Sequence, residues 1–357
     1  MNLTDYIPCT RKELAGGLAL LSLALALVGG HRLSRLTNAR AIYSEEPVSI
    51  YLEENSDLET LGGMLADSGV VHSREELVWA GRLLGWNSFS EGHYQVEGGY
   101  SYEVFLSRMS RGIQDPVSVT ILPGITRERL VRSLSGQLKF DSLSVQAALA
   151  DTALLRQLGI GSRGLMGKML PETYSIYWTS PPESVLRRVV SEFERVVLDE
   201  YGARIEEVEL NLEEVLTLAS IVEWEATRED EKEMISGLYW NRLNRGMRLQ
   251  ADATVNYALG ERRRLLYEDY SYEHPYNTYV VDGLPPGPIT NPSRSSIEAA
   301  LYPADHDYLY MVASPDGYHV FSETFEEHRR QSAKWREWLE EQYRIKAQQD
   351  SSQEINS

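Results

Sequence analysis

The sequence predicts an α+β protein carried on a single N-terminal transmembrane helix, and three observations along its 357 residues support this. A charge-free apolar run opens the chain, strand-like and helix-like segments alternate after it, and helical patterns followed by a hairpin fill the remainder. With 42% hydrophobic residues, the chain is long enough to bury a core and to form more than one domain.

The apolar run covers residues 14–30 and carries no charged side chain. A helix of this length spans about 26 Å, which is close to the thickness of a bilayer core. A cleaved signal peptide is the alternative, but the chain turns basic at once and offers no small-residue cleavage site. Basic residues flank the run on both sides, so charge alone predicts no orientation. We therefore assign residues 1–13 to a short N-terminal segment, 14–30 to a membrane anchor and 31–46 to a linker.

Composition excludes several classes of function. The net charge of −18 argues against a nucleic-acid partner, because such a protein needs a cationic surface to replace phosphate counterions. Cys9 is the single cysteine, so neither an internal disulfide nor a thiolate metal site can form. The seven histidines show no metal-ligand spacing. The sequence thus predicts no metal and no cofactor.

Residues 47–115 predict a small strand–helix–helix–strand module. Residues 48–52 alternate and are rich in β-formers, and Ser56 is the predicted N-cap of an apolar-striped helix. A second helix spans about 74–84, and "EGHYQVE" has the pattern of a returning strand. Part of the pattern recurs at residues 117–121, where Thr126 precedes another helix. This recurrence leaves open either a second related module or the ordinary similarity of strand-then-helix units.

The pattern of residues 116–345 predicts a larger, mostly helical domain, in which a hairpin is followed by a final helix over about residues 324–348. The Gly-x-Gly-x-x-Gly pattern at 159–164 follows a helix-like segment, so we assign it to a loop and not to a phosphate site. A long, aromatic loop at 261–292 is expected to have a functional role. The polar tail, residues 346–357, is predicted to be disordered.

The stretch "NLEEVLTLASIVEWEATRED", residues 211–230, predicts a helix that begins with a capping box. At about 100° per residue, Glu223 falls inside the apolar arc, whereas Glu225 lies about 160° away and outside it. A carboxyl held among apolar side chains has a raised pKa and suits a general acid. The alternative is that Glu223 is structural and pairs with an arginine such as Arg242. We assign Glu225 a supporting role.

Amide and aromatic side chains follow these acids in the sequence, and the aromatic ones are Tyr239, Trp240, Tyr257, Tyr276 and Tyr279. Amides supply donors and acceptors for hydroxyl groups, and flat rings stack on sugar faces, so the combination favours a carbohydrate ligand. The same residue types also build ordinary cores and loops. The candidate substrate-binding residues are Asn241, Arg242, Gln250, Asp252, Thr254, Tyr257, Tyr276, Asn277 and Thr278.

Four stretches in order, "LASIVEWEA", "YWNRLNRGMRLQADATVNYALG", "PYNTYVVDGLPPGPITNPS" and "DYLYMVASPDGYHVF", resemble the YceG-like family of membrane-anchored endolytic murein transglycosylases. The resemblance covers about residues 45–345. It implies that residues 47–115 form a LysM-like subdomain and that residues 116–345 form a mixed α+β catalytic domain. The chain departs from the family at Trp224, where a lysine is common, and at "DATV", which lacks a proline.

The resemblance implies a lytic transglycosylase, a carbon–oxygen lyase that cleaves the MurNAc–GlcNAc bond within nascent glycan strands and leaves 1,6-anhydroMurNAc ends. It places the catalytic acid at Glu223, with no cofactor. The implied location is the cytoplasmic membrane, with one transmembrane helix and the catalytic domain on the outer, periplasmic face. The implied partners are glycan strands and peptidoglycan synthases. The alternative is a non-catalytic, membrane-anchored cell-wall binding or scaffold protein.

Overall fold

The computed structural model describes residues 11–161 and 163–355, and they form a mixed α and β structure, as the sequence predicts. The chain divides into two compact units. Unit 1 comprises Met1–Val117 with Ser175–Thr179, and unit 2 comprises Ser118–Tyr174 with Ser180–Ser357. Most of the predicted N-terminal segment, residues 1–13, lies outside the described residues.

The first helix, α1 (Arg11–Leu36), contains the predicted anchor. By length and composition, its stretch Lys12–Leu36 is able to cross a membrane. The helix extends into the predicted linker of residues 31–46, because its last turn packs within unit 1. Leu36 is buried in the unit 1 core, and the Arg35 Nε donates to Glu76 Oε1 at 2.9 Å.

Unit 1 contains the predicted strand–helix–helix–strand order. Its elements are β1 (Ile42–Leu52), β2 (Ser56–Asp57), α2 (Leu58–Asp67), α3 (Arg74–Leu84), β3 (Ser88–Phe89), β4 (Gly92–Tyr100) and α4 (Tyr102–Ser110). β1 pairs with β4 in antiparallel register, and β2 pairs with β3. The α2 N-cap is Asp57, whose carboxylate accepts from the Thr60 N–H, and not Ser56 as predicted.

β1 begins at Ile42, earlier than the predicted linker allows. Its first residues pair with the end of β4, on the far side of an irregularity between Ser44 and Val48. Local sequence does not reveal this pairing, because Ile42 pairs with Tyr100, at the distant end of the partner strand. The linker prediction for residues 31–46 is therefore wrong for all but the turn between α1 and β1.

The remaining elements follow in chain order. They are β5 (Pro116–Thr120), α5 (Arg127–Gln137), α6 (Ser142–Ala150), α7 (Thr152–Gln157), β6 (Thr173–Tyr177), α8 (Pro182–Phe193), α9 (Asp199–Glu207), α10 (Leu212–Glu225), α11 (Lys232–Asn244), α12 (Asp252–Leu259), α13 (Arg294–Leu301), β7 (Tyr310–Ala313), β8 (His319–Ser322) and α14 (Phe325–Ile355). β7 and β8 form the predicted hairpin. α14 continues through most of the segment that the sequence predicts to be a disordered tail.

Helix α10 lies at the centre of unit 2, where it packs against α11, α12 and α13. All eight residues from Val215 to Val222 are buried, so the helix is enclosed on every side rather than along one stripe. Its N-terminus is the predicted capping box, in which Asn211 and Glu214 exchange side-chain and backbone hydrogen bonds. A helix enclosed in this way places both of its last acids against other elements of the fold.

Candidate active site

Glu223 lies in a polar network at the N-terminus of α13. Its Oε2 accepts from the Ser293 N–H at 2.9 Å, from the Ser293 hydroxyl and from the Ser296 hydroxyl at 2.6 Å. The Lys232 Nζ lies 3.5 Å from the same oxygen. The Glu223 side chain is 10% exposed and that of Lys232 is 4% exposed. This carboxylate therefore serves as the shared acceptor of a buried network.

The prediction that Glu223 lies among apolar side chains is wrong, although the residue does lie on a buried face. Its neighbours come from a segment about 70 residues further along the chain, which the helical projection of α10 does not include. The alternative prediction, that Glu223 pairs with Arg242, is also wrong, because Lys232 is the cation beside Glu223. All of these contacts meet the Oε2 atom of Glu223, so protein donors occupy one of its two carboxyl oxygens.

Glu225 lies instead in the wall of an open cleft of about 570 Å³. Its Oε1 accepts from the Ala253 N–H at 3.3 Å. Burial, followed by the negative charge of nearby Asp252, raises the pKa of Glu225 to about 7. Glu225 is also the last residue of α10, where the partial negative charge of the helix end disfavours an ionised carboxyl. A carboxyl of this kind holds its proton near neutral pH.

Asp252 is the second carboxyl of the cleft. Its Oδ1 accepts from the Tyr279 hydroxyl at 2.7 Å, and the Tyr279 ring contacts Tyr270 with centroids 4.6 Å apart and an interplanar angle of 54°. Desolvation raises the pKa of Asp252, while the hydrogen bonds from these two tyrosines oppose the change. Because the two tyrosines stabilise its charged form, Asp252 is the better candidate for the anionic member of the Glu225–Asp252 pair.

Three of the predicted substrate-binding residues, Arg242, Gln250 and Asp252, line the cleft. The Arg242 Nε donates to the Leu309 carbonyl at 2.6 Å, and the guanidinium lies 5.3 Å from the centre of the Tyr310 ring. Gln250 has a φ of 51°, and among the described residues it is the single non-glycine residue with positive φ. A side chain in this conformation is strained, which is typical of positions with a functional constraint.

The other predicted substrate-binding residues do not line the cleft. Thr254, Asn277 and Thr278 are fully buried and bind one another or loop backbone. The Asn241 amide donates to the carbonyls of His306 and Tyr308. The rings of Tyr257 and Tyr276 contact each other at an interplanar angle of 41°, with centroids 4.5 Å apart. These residues shape the loops that border the cleft, and we assign them no contact with a ligand.

Sequence reasoning missed most of the aromatic and histidine side chains of the cleft. These are Tyr270, Tyr310, His319, Phe325, His328 and Trp335. Tyr239 and Tyr279, which also line the cleft, belong to the aromatic set that the sequence indicated. The α14 residues offered no signal, because a polar helix with occasional aromatic residues resembles any surface helix.

A metal centre has no support in the part of the chain that the structure describes, because no group of three or more His, Cys, Asp and Glu side chains is arranged to hold an ion. The cleft instead combines one carboxyl of raised pKa with a second carboxyl, a buried arginine and several tyrosines. Such a site can donate a proton to an uncharged ligand and hold rings that carry hydroxyl groups.

Residues 50–334 match the model of the YceG-like family. The chain is 28% identical over 311 residues to a Bacillus subtilis (strain 168) protein named endolytic murein transglycosylase, covering 82% of this chain and 86% of that protein. It is 29% identical over 324 residues to a protein of the same name from Streptococcus pneumoniae (serotype 2, strain D39), covering 81% of this chain and 58% of that protein.

A solved structure is also similar. It is the crystal structure of a putative yceG-like protein from Listeria monocytogenes, with a TM-score of 0.57 and 28% sequence identity. The match covers 80% of this chain and 99% of the Listeria chain. The similarity therefore extends over nearly all of the other protein and is not confined to the region around the cleft.

Proposed function

The chain belongs to the YceG-like family, and from this premise we propose that it is an endolytic murein transglycosylase, as its relatives are named. It cleaves the MurNAc–GlcNAc bond within peptidoglycan glycan strands and leaves 1,6-anhydroMurNAc ends. The observation that carries the chemistry is the carboxyl of Glu225, which lies in an aromatic cleft with its pKa raised to about 7. No cofactor enters the reaction.

In the proposed mechanism a single carboxyl moves one proton in each direction. Protonated Glu225 donates to the glycosidic oxygen as the bond from MurNAc C1 to that oxygen breaks. The resulting carboxylate accepts the proton of the MurNAc C6 hydroxyl, and the C6 oxygen bonds to C1 to close the anhydro ring. Glu225 ends the cycle protonated, so no water is consumed and no bond to the enzyme forms.

The assignment to Glu225 replaces the earlier expectation for Glu223, and their contacts support the change. A general acid needs a proton to give and open space for the substrate oxygen. Glu225 lines the cleft and has a raised pKa. Glu223 does not line it, and three hydrogen bonds from Ser293 and Ser296 occupy its Oε2. We therefore assign Glu223 a structural role.

Asp252 and Arg242 support Glu225 in different ways. The charge of Asp252 raises the pKa of Glu225 and keeps it protonated at a higher pH. Arg242 binds backbone carbonyls from Leu249 and Leu309, so it ties the loop before α12 to the hairpin that forms another wall of the cleft. Each contributes to the shape or charge of the cleft without transferring a proton itself.

We further propose that residues 47–115 form a LysM-like subdomain and that α1 is a single-pass anchor. The antiparallel pair β1–β4 with two intervening helices supports the first assignment, and the apolar stretch Lys12–Leu36 supports the second. Since murein lies outside the cytoplasmic membrane, the proposed substrate places the catalytic domain on the outer face. Association with peptidoglycan synthases remains an expectation from the family resemblance.

Product analysis tests the proposed function. The full chain in detergent is incubated with uncrosslinked glycan strands, and the products are separated and weighed by mass spectrometry. Internal cleavage with anhydroMurNAc ends is the expected result. Reducing ends that contain the elements of water would identify a hydrolase instead. Intact strands that nevertheless bind the protein would identify a non-catalytic wall-binding protein, and either result would reject the proposal.

A further inference from the structure

Helix α14 contributes one aromatic face to the cleft. Phe325, His328 and Trp335 all line it, and their spacings of three and seven residues place them on one side of the helix. The His328 ring stacks on Tyr310 with centroids 5.3 Å apart and an interplanar angle of 23°. This face therefore extends the cleft wall away from the hairpin and along the helix axis.

Trp335 is supported from behind by a second indole. The rings of Trp335 and Trp338 are nearly parallel, with centroids 4.9 Å apart and an interplanar angle of 17°. Both side chains are only partly buried. An indole held in a fixed plane offers a rigid surface at a small cost in conformational entropy. The C–H groups of a pyranose ring form an apolar face that packs well on such a surface.

The size of the cleft indicates that a glycan strand extends beyond it. Its volume of about 570 Å³ lies in the usual range for sites of small ligands. A murein glycan is a long polymer, so an enzyme that cuts within it must hold sugars on both sides of the bond. Trp335 lies seven residues beyond His328, which is about 10 Å along the helix axis, so it is placed to contact a different sugar from the one beside His328.

We propose that Trp335, held in place by Trp338, forms a distal glycan subsite that stacks on a sugar ring outside the reacting disaccharide. The proposal rests on the proposed function and adds a determinant of strand-length preference to it. Trp335 contacts the substrate, and Trp338 is a positioning residue for its ring. The match to the family model ends at residue 334, directly before this pair, so family membership alone does not supply the subsite.

The test compares long glycan strands with a short fragment that fills only the reacting positions, using the full chain in detergent. Trp335→Ala is expected to raise KM for long strands about fivefold to tenfold, which is the size of one lost stacking contact. The rise in KM should be clearly larger for long strands than for the short fragment, and kcat on either substrate should change less than KM does on long strands. Trp335→Phe should recover most of the lost affinity, because it keeps a flat ring.

Tyr267→Ala is the matched control, since Tyr267 is an aromatic residue that is 95% exposed and does not line the cleft. It should leave KM unchanged for both substrates. Equal losses of Trp335→Ala on long and short substrates would overturn the subsite and indicate a general structural defect. An unchanged KM on long strands would also overturn it, and would leave the indole pair free for a protein partner.

A binding measurement separates this inference from the proposed function. Glu225→Gln chains with and without Trp335→Ala are titrated with long strands, so that affinity is read without cleavage. Weaker binding by the double variant supports the subsite even if wild-type protein yields no anhydro product, a result that would reject the catalytic proposal alone. Equal affinity of the two chains rejects the subsite alone.

Discussion

Glu223 and Glu225 are two residues apart on one helix, yet they lie in opposite kinds of environment. Glu223 faces α13, where serine donors and a buried lysine converge on one of its oxygens. Glu225 faces an open cleft, where burial and a neighbouring carboxylate raise its pKa to about 7. In our proposal, the same residue type is structural on one side of α10 and chemical on the other.

The difference shows that burial alone does not predict a general acid. Both side chains are shielded by protein, but donors of hydrogen bonds stabilise a carboxylate and a nearby negative charge destabilises it. The acid that suits catalysis is the one whose neighbours fail to stabilise its charge. Four predictions test this contrast and a fifth tests the strained backbone at Gln250, in order of decreasing effect.

Glu225→Gln should abolish most activity. Gln cannot donate a proton to the glycosidic oxygen, so the rate of anhydro product formation should fall by about 10² to 10⁴. The fold should persist, because the amide keeps the shape of the carboxyl and can still accept from the Ala253 N–H. Product formation per mole of folded protein is the measurement. A variant that retains wild-type activity would remove Glu225 from the mechanism.

Glu223→Ala should mainly destabilise the protein. It leaves Lys232 and the Ser293 N–H without their shared acceptor in a buried network, a change that costs about 2–4 kcal/mol. Thermal unfolding of the full chain in detergent measures the loss. Glu229→Ala is the matched control, because Glu229 also pairs with Lys232 but is 73% exposed, so its loss should be below about 1 kcal/mol.

The two variants should also separate by activity. Glu223→Ala protein that remains folded should form anhydro product at nearly the wild-type rate, because its network does not reach the cleft. A loss of activity as large as that of Glu225→Gln, in folded protein, would contradict the division of roles between the two acids.

Glu225→Gln should stabilise the protein at alkaline pH. The Glu225 pKa is about 7 in the folded chain and near its ordinary value of 4.5 when unfolded. The folded state therefore loses stability as pH rises from about 4.5 to 7, and the cost is fully present above 7. Replacing the Glu225 carboxyl by an amide should raise the free energy of unfolding by about 1–3 kcal/mol at pH 8, after allowance for water in the cleft. Melting temperatures at pH 4 and pH 8 provide the measurement, and no gain at pH 8 would contradict the raised pKa.

Asp252→Asn should shift the pH profile of activity to lower pH. Activity requires protonated Glu225, so kcat/KM of the wild type should decline above about pH 7. Removing the Asp252 charge lowers the pKa of Glu225, and the decline should begin about 0.5–1 pH unit earlier. Asp282→Asn, which removes an exposed carboxylate paired with Arg248, should leave the profile in place. If Asp252→Asn leaves the pH profile of kcat/KM unchanged, burial alone raises the pKa of Glu225.

Gln250→Gly should give a small gain in stability. Its φ of 51° is strained for glutamine and free of strain for glycine, a difference of about 0.5–1 kcal/mol. Gln250→Ala is the control, because alanine retains the strain and should show no gain. A gain for both variants, measured by thermal unfolding, would locate the effect in the side chain and not in the backbone.

Much of the local structure was predictable because it depends on residues close in sequence. The capping box of α10, the α3 helix and the β7–β8 hairpin all form as the sequence predicts. The periodic patterns and turn residues that specify them lie within a few positions of one another. The order of motifs also identified the family, since that recognition needs only the linear sequence.

The roles of Glu223 and Glu225 depended on the tertiary structure. A helical projection compares a residue with its own helix, but α13 supplies the donors around Glu223, and α12 supplies both the N–H and the charge near Glu225. The same limit explains Thr254, Asn277 and Thr278, whose polar atoms bind loop backbone. The sequence determined which groups are present and which helix carries them. Only folding decided their neighbours, and a carboxyl's protonation depends on those neighbours.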